Sequence, residues 1–188
     1  MNLWKLPTTA DLGGKRFGIR YTWRDALAVM AILEEEGPVW QRWFRAIDRF
    51  FVERVPDELL AEAAKFLEHF LTAGQACQPG PKRMDWQQDA MEIISDINRV
   101  AGREVRETDV HWWTFLSWFH AIGEGRLSSL VALRCKLARG EKLTEAERAF
   151  YAANPQKVRL QTPDDPQKQK LLERLGECRN AECRMQGM

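Results

Sequence analysis

Metal or general-base chemistry in this chain has to be built around three histidines, His69, His111 and His120. Their spacing does not build it. No two stand four residues apart and no His-Glu-x-x-His occurs, so no zinc-type pair falls on one helix face. His111 and His120 are nine residues apart, which on a helix turns them about 180° from each other. The cysteines are Cys77, Cys135, Cys178 and Cys183. Cys178 and Cys183 enclose four residues without a nearby histidine or second pair, a poor zinc pattern. Free thiols of a reducing compartment are expected, because the opening residues lack the apolar run of an export signal. Gly13-Gly14-Lys15 ends like a phosphate loop, but the earlier glycine is missing and Arg16 follows the lysine. Neither Gly-x-Ser-x-Gly nor Gly-x-Gly-x-x-Gly is present. The expectation is a non-enzymatic protein with no catalytic residue, cofactor or metal.

Binding chemistry is better represented. Eight Trp and nine Phe stand against two Tyr, in a chain of 188 residues with net charge +1. Trp40, Trp43, Phe44, Ile47, Phe50 and Phe51 repeat at helical spacing as one apolar stripe, with Gln41, Arg42, Arg45, Asp48 and Arg49 on the other side. Such a stripe is either core or a partner-binding face. Trp40, Trp43 and Phe44, with Arg42, Arg45 and Arg49 around them, are the nominated partner contacts. Lys82-Arg83, Arg134, Lys136 and Arg139 add positive charge, but acidic residues are interspersed and no nucleic-acid motif accompanies them. Recognition should therefore depend on apolar surface more than on electrostatic attraction, and nucleic acid is the disfavoured partner. No run approaches the roughly 20 apolar residues of a membrane span.

The elements that must position these residues are mainly helical. Alternation in Leu3–Leu6 and Arg16–Arg20 predicts an N-terminal β-hairpin over 1–21, with a loose loop through Gly13-Gly14. About seven helices are expected over 22–154. Thr22 caps the first, which stops at Gly37. The second carries the Trp40 stripe, and Pro56-Asp57 opens the third. Pro79-Gly80-Pro81 breaks the pattern before a fourth helix running from Asp85 to Gly102. The fifth, Val110–Ile122 with Thr108 or Asp109 as cap, is apolar nearly all round and should be central. Its His111 is expected to tie it to the Gly102–Glu107 loop. Arg126–Arg139 forms the sixth, and Thr144-Glu145-Ala146-Glu147 is a capping box for the seventh. Glu34-Glu35-Glu36 is an oddity, since the dipole disfavours acid at a helix C-terminus. Residues 155–188 are polar and lack aromatics, a tail that frays or docks as one helix.

The segment His111-Trp112-Trp113-Thr114-Phe115-Leu116 follows the Pro-Gly-Pro linker and a helix containing Asp89-Ala90. With Leu3-Trp4-Lys5-Leu6-Pro7, then Gly14-Lys15-Arg16-Phe17-Gly18-Ile19-Arg20, and Gly125–Arg134 after the central helix, it resembles the bacteriophage gene-product-fifteen family of tailed phages and prophages. The likeness spans roughly residues 1–152. His111, Trp112, Trp113 and Phe115 carry its specific part, and the chain beyond Pro155 aligns with no family pattern. The resemblance implies a tail assembly chaperone in the bacterial host cytoplasm. Such a protein would coat the helical, aggregation-prone tape measure protein, or another tail protein, until tube subunits polymerise, with self-association left open. It implies no catalytic residues. A structural virion or head-tail joining component and a nucleic-acid-binding prophage regulator are the alternatives.

Overall fold

In the computed structural model, which describes residues 4–75 and 80–161, Gly13 and Gly14 both hold positive φ, 54° and 77°. Two consecutive left-handed residues make the turn whose twist matches a hairpin. β1 (Thr9–Leu12) and β2 (Lys15–Gly18) pair antiparallel around it, with Leu12 opposite Lys15. Leu3 of the expected first strand lies outside the described residues; for Trp4–Leu6 the expectation is corrected, as is the loose loop: the loop is tight, and Trp4 lies before the strand with 96% of its surface exposed. The signal was weak because one inward position of β1 is Ala10, too small to make the alternation conspicuous. Two strands alone are marginal, and the hairpin is held from outside. Ile19 bridges Phe51, the Arg20 amide donates to the Phe50 carbonyl at 2.8 Å, and the Val52 amide donates to that of Gly18 at 3.0 Å.

Three helices follow. The Thr22 hydroxyl accepts the Asp25 amide and caps α1 (Trp23–Glu34). α2 (Val39–Phe50) begins after Gly37, and a 3-10 turn at Asp57–Leu59 leads into α3 (Leu60–Leu71). Each buries one face: Trp23, Ala26 and Val29 from α1, Ala46, Ile47 and Phe50 from α2, Ala63, Leu67 and Phe70 from α3. The Phe50 ring lies 5.1 Å from that of Phe51 and 4.9 Å from that of Phe70. Each such ring contributes about 1.5–3 kcal/mol by leaving water.

α4 (Ala90–Ala101) starts five residues later than expected. Asp85 instead organises a turn, its carboxylate accepting the amides of Gln87 and Gln88. α5 (Trp112–His120) is shorter than expected and is capped by His111 rather than by Thr108 or Asp109. The reason lies in the chain before it. Val110 accepts the Trp23 amide and Thr22 bridges His111, so this stretch is extended and the helix opens only afterwards. Buried Asp96 of α4 accepts the Leu127 amide at the start of α6 (Arg126–Ala138). Gly125 is required there, since a Cβ would sit 2.5 Å from an Asp96 oxygen. α7 (Glu145–Ala153) has the expected capping box, and α8 (Pro155–Val158) is a single turn. The fold is thus mainly α, with eight α-helices among the described residues after the hairpin.

The described chain divides into two compact units, residues 4–82 with 90–129, and residues 83–89 with 130–161. In the second, Leu130, Leu133 and Val158 form a small core with Leu137, Leu143 and Tyr151 against it. Arg134, 5% exposed, forms a bidentate pair with fully buried Asp89 at 2.6 and 2.8 Å. Its remaining donors reach the carbonyls of Arg83, Lys157 and Val158. Residues 155–161 are thereby docked in that unit. The rest of the expected tail, with Cys178 and Cys183, and also Cys77, lie outside the described residues.

Candidate functional site

The residues that carried the motif are interior. His111, Trp112, Trp113 and Phe115 are between 1% and 8% exposed. They solve a problem at the end of α3, where the last-turn carbonyls have no helical partners. The chain leaves α3 with the Gly74 amide on the His69 carbonyl and the Ala73 amide on that of Phe70, and with Ala73 left-handed at φ 49°. The Trp112 indole N–H donates to the Leu71 carbonyl at 2.9 Å, and that of Trp113 to the Phe70 carbonyl at 2.8 Å. Only tryptophan combines a ring of this size with a donor placed there. Phe115 stacks between Trp23 and Trp112 at centroid distances of 5.2 and 5.6 Å.

His111 works at both of its nitrogens. Nδ1 accepts the Trp113 amide at 3.0 Å, and Nε2 lies 2.9 Å from the Pro7 carbonyl. That pair of contacts requires a neutral ring protonated at Nε2. Burial pushes its pKa below the ordinary value of 6.5, with the Pro7 carbonyl opposing. The expected tie to the Gly102–Glu107 loop is corrected: His111 ties α5 to the segment before β1, and Tyr21 stacks on it at 5.4 Å.

The three histidines do not converge on a catalytic or metal-binding arrangement. Trp113 lies between two of them, 6.4 Å from His69 and 6.0 Å from His111, ring to ring. His120 is exposed at the far end of α5, on the lip of an open depression of about 500 Å³ together with Ser117. Among the described residues no hydrogen bond joins the two, and no carboxylate lines the depression. Among the described residues no group of three or more His, Cys, Asp or Glu could hold a metal, and no helix is long and apolar enough to cross a membrane.

The aromatic stripe on α2 is divided between core and surface. Ile47, Phe50 and Phe51 are buried, and Trp43 is half-buried. Trp40 is 69% exposed and Phe44 45%; Val39, about 100° round the helix from Trp40, is 60% exposed. Trp40 and Phe44 stand one turn apart in one row, a short apolar ridge turned to solvent.

The arginines do not ring that ridge. Arg42 donates to the Leu33 carbonyl, Arg45 pairs with Glu35 and Arg49 with Asp25, so all three serve the packing of α2 against α1. The acidic run at the end of α1 gains its reason here. Glu35 meets Arg45, Glu34 meets Lys82, and the run also precedes the N-terminus of α2, where negative charge is favoured. Arg134, counted with the surface cations, is interior, and Lys136 pairs with Glu147. Of the candidate cations, Arg42, Arg45, Arg49, Arg134 and Lys136 are thus each engaged within the chain.

Compared with models of known protein families, with curated proteins and with solved structures, the chain matches none.

Proposed function

We propose that the chain is a non-enzymatic assembly protein of the tail-chaperone kind. It acts in the bacterial host cytoplasm, holding apolar helical segments of a phage tape measure protein during tail morphogenesis. The α2 ridge is its docking surface. The observation that carries this reading is the exposure of Trp40 and Phe44 in the N-terminal half of a helix whose C-terminal half, at Ala46, Ile47 and Phe50, is buried in its own core. Large rings with one face dry and one wet are the usual anchors of helix recognition, and a few of them dominate such interfaces. The likeness of the His111–Leu116 segment and its flanks to the phage family supplies the partner. The ridge supplies the mode.

Co-expression with the tape measure protein of the same phage, followed by a pull-down, tests the proposal. The expected result is a soluble complex that Trp40→Ala with Phe44→Ala abolishes. An insoluble tape measure with nothing co-purifying would remove the reading. Finding the chain in purified virions by mass spectrometry would favour a structural component instead.

A further inference from the structure

On the assumption that the α2 ridge is the docking surface, its charge surroundings say what kind of helix it takes. The three arginines of α2 are committed to α1, through the Leu33 carbonyl, Glu35 and Asp25. At 100° per residue they fall on the side of α2 away from the Trp40–Phe44 row. Asp48, on the polar side of the stripe, stands one turn beyond Phe44 at the border between that row and the arginines, exposed and with no side-chain hydrogen bond or ion pair among the described residues. Glu36, in the turn that leads into α2, is likewise exposed and unpaired, whereas its neighbours Glu34 and Glu35 are neutralised by Lys82 and Arg45. Asp48 after the ridge and Glu36 before α2 are thus two exposed carboxylates that no ion pair among the described residues neutralises.

Its size limits the occupant as well. A large aromatic side chain carries roughly 150–250 Å² of contact surface. At the exposures of Trp40 and Phe44 the ridge offers on the order of 250 Å². A stable protein interface takes about 800 Å² from each partner. A second copy of the chain would need far more surface than this, whereas one short helix, held transiently, would not.

We infer that the ridge receives a single amphipathic helix of another protein whose apolar stripe is flanked by Lys or Arg. The rings hold the stripe, and Asp48 and Glu36 select the flanking charge. Carboxylates at the rim act chiefly on specificity and on association rate, and their effect fades with salt.

Two synthetic helical peptides with the same leucine stripe, one flanked by lysines and one by glutamates, test this by titration against the full chain. The lysine peptide is expected to bind about 5- to 10-fold tighter at low salt, in line with two exposed charge contacts. In 0.5 M salt the preference should shrink to about twofold or less. Asp48→Lys with Glu36→Lys should reverse it, and among the described residues neither side chain has a partner whose loss would confuse the result. Equal binding of both peptides, still lost in Trp40→Ala with Phe44→Ala, would overturn the charge selection and leave the docking surface standing. Binding that survives those two alanines, or no binding of either peptide, would overturn the docking surface and this inference with it.

Discussion

Tryptophans cluster twice among the helices, at Trp40 and Trp43 on α2 and at Trp112-Trp113 on α5, and their surroundings are opposite. On α5 both rings are at most 8% exposed, and both indole N–H groups end on carbonyls of the last turn of α3, at 2.9 and 2.8 Å. On α2, Trp40 is 69% exposed, and water can satisfy its indole. A buried tryptophan is tied down by its nitrogen as much as by its ring area, because an unpaired donor inside the protein costs about 1–3 kcal/mol. An exposed one has no such obligation and stays free to meet a partner. Hydrogen bonding, more than hydrophobicity, separates the buried pair on α5 from exposed Trp40.

Substitutions at the buried pair should break that comparison most forcefully. Trp112→Ala empties a site at 1% exposure and strands the Leu71 carbonyl. A loss of about 3–5 kcal/mol is expected, seen as a lower urea midpoint at an unchanged slope. Trp113→Phe keeps most of the ring but removes the donor. Because the Phe70 carbonyl retains the Ala73 amide, the loss should lie near the lower end of about 1–3 kcal/mol. If Trp113→Phe were neutral, packing alone would explain the pair and the hydrogen-bond argument would fail.

A smaller effect follows from His111, which fixes the same corner. Its folded pKa is depressed, so the unfolded chain takes up the proton first as the pH falls. The stabilisation is complete above about 6.5 and is lost as the pH drops through the folded value. The slope is bounded at about 1.4 kcal/mol per pH unit for one proton. Urea midpoints between pH 8 and 5 should decline, and the decline should be shallower in His111→Asn. The Glu104 carboxyl, held at about 2 by its hydrogen bonds to Arg106, titrates well below that window. A profile identical in the two proteins would mean that His111 does not need to be neutral to cap α5.

Much of this was legible in the sequence, for reasons that differ by element. The interior of α3 followed from apolar periodicity, and the α7 capping box from its four letters, because those signals are local. The same periodicity found Trp23 and Ala26 in α1 but not Val29, and Leu127 and Leu130 in α6 but not Leu133 or Arg134. Boundaries set by distant partners were not legible. α5 begins at Trp112 because Thr22 and Trp23 pair with His111 and Val110, about 90 residues away in sequence. Asp89 reads as a surface acid in a helix until Arg134 is placed on it. The Trp40 stripe left core and interface open because periodicity finds the apolar face of a helix and says nothing of how much of it the neighbouring elements cover. Only the packing showed that Ile47, Phe50 and Phe51 fill the core and leave Trp40 and Phe44 outside.

The smallest stability effect is therefore the most informative one, and it sits within a single helix. Phe50→Ala and Phe44→Ala remove the same side chain from α2, six residues apart. Phe50 is fully buried, so its loss should cost about 3–5 kcal/mol. Phe44, 45% exposed, and Trp40, 69% exposed, leave less behind. Alanine is also the better helix former at these positions, which offsets part of the lost contact. The double variant Trp40→Ala with Phe44→Ala should stay within about 0.5 kcal/mol of the parent in urea denaturation. A loss approaching that of Phe50→Ala would show that the ridge belongs to the core, and the contrast between α2 and α5 would disappear. Unchanged stability together with lost peptide binding would place the energy of those two rings in recognition.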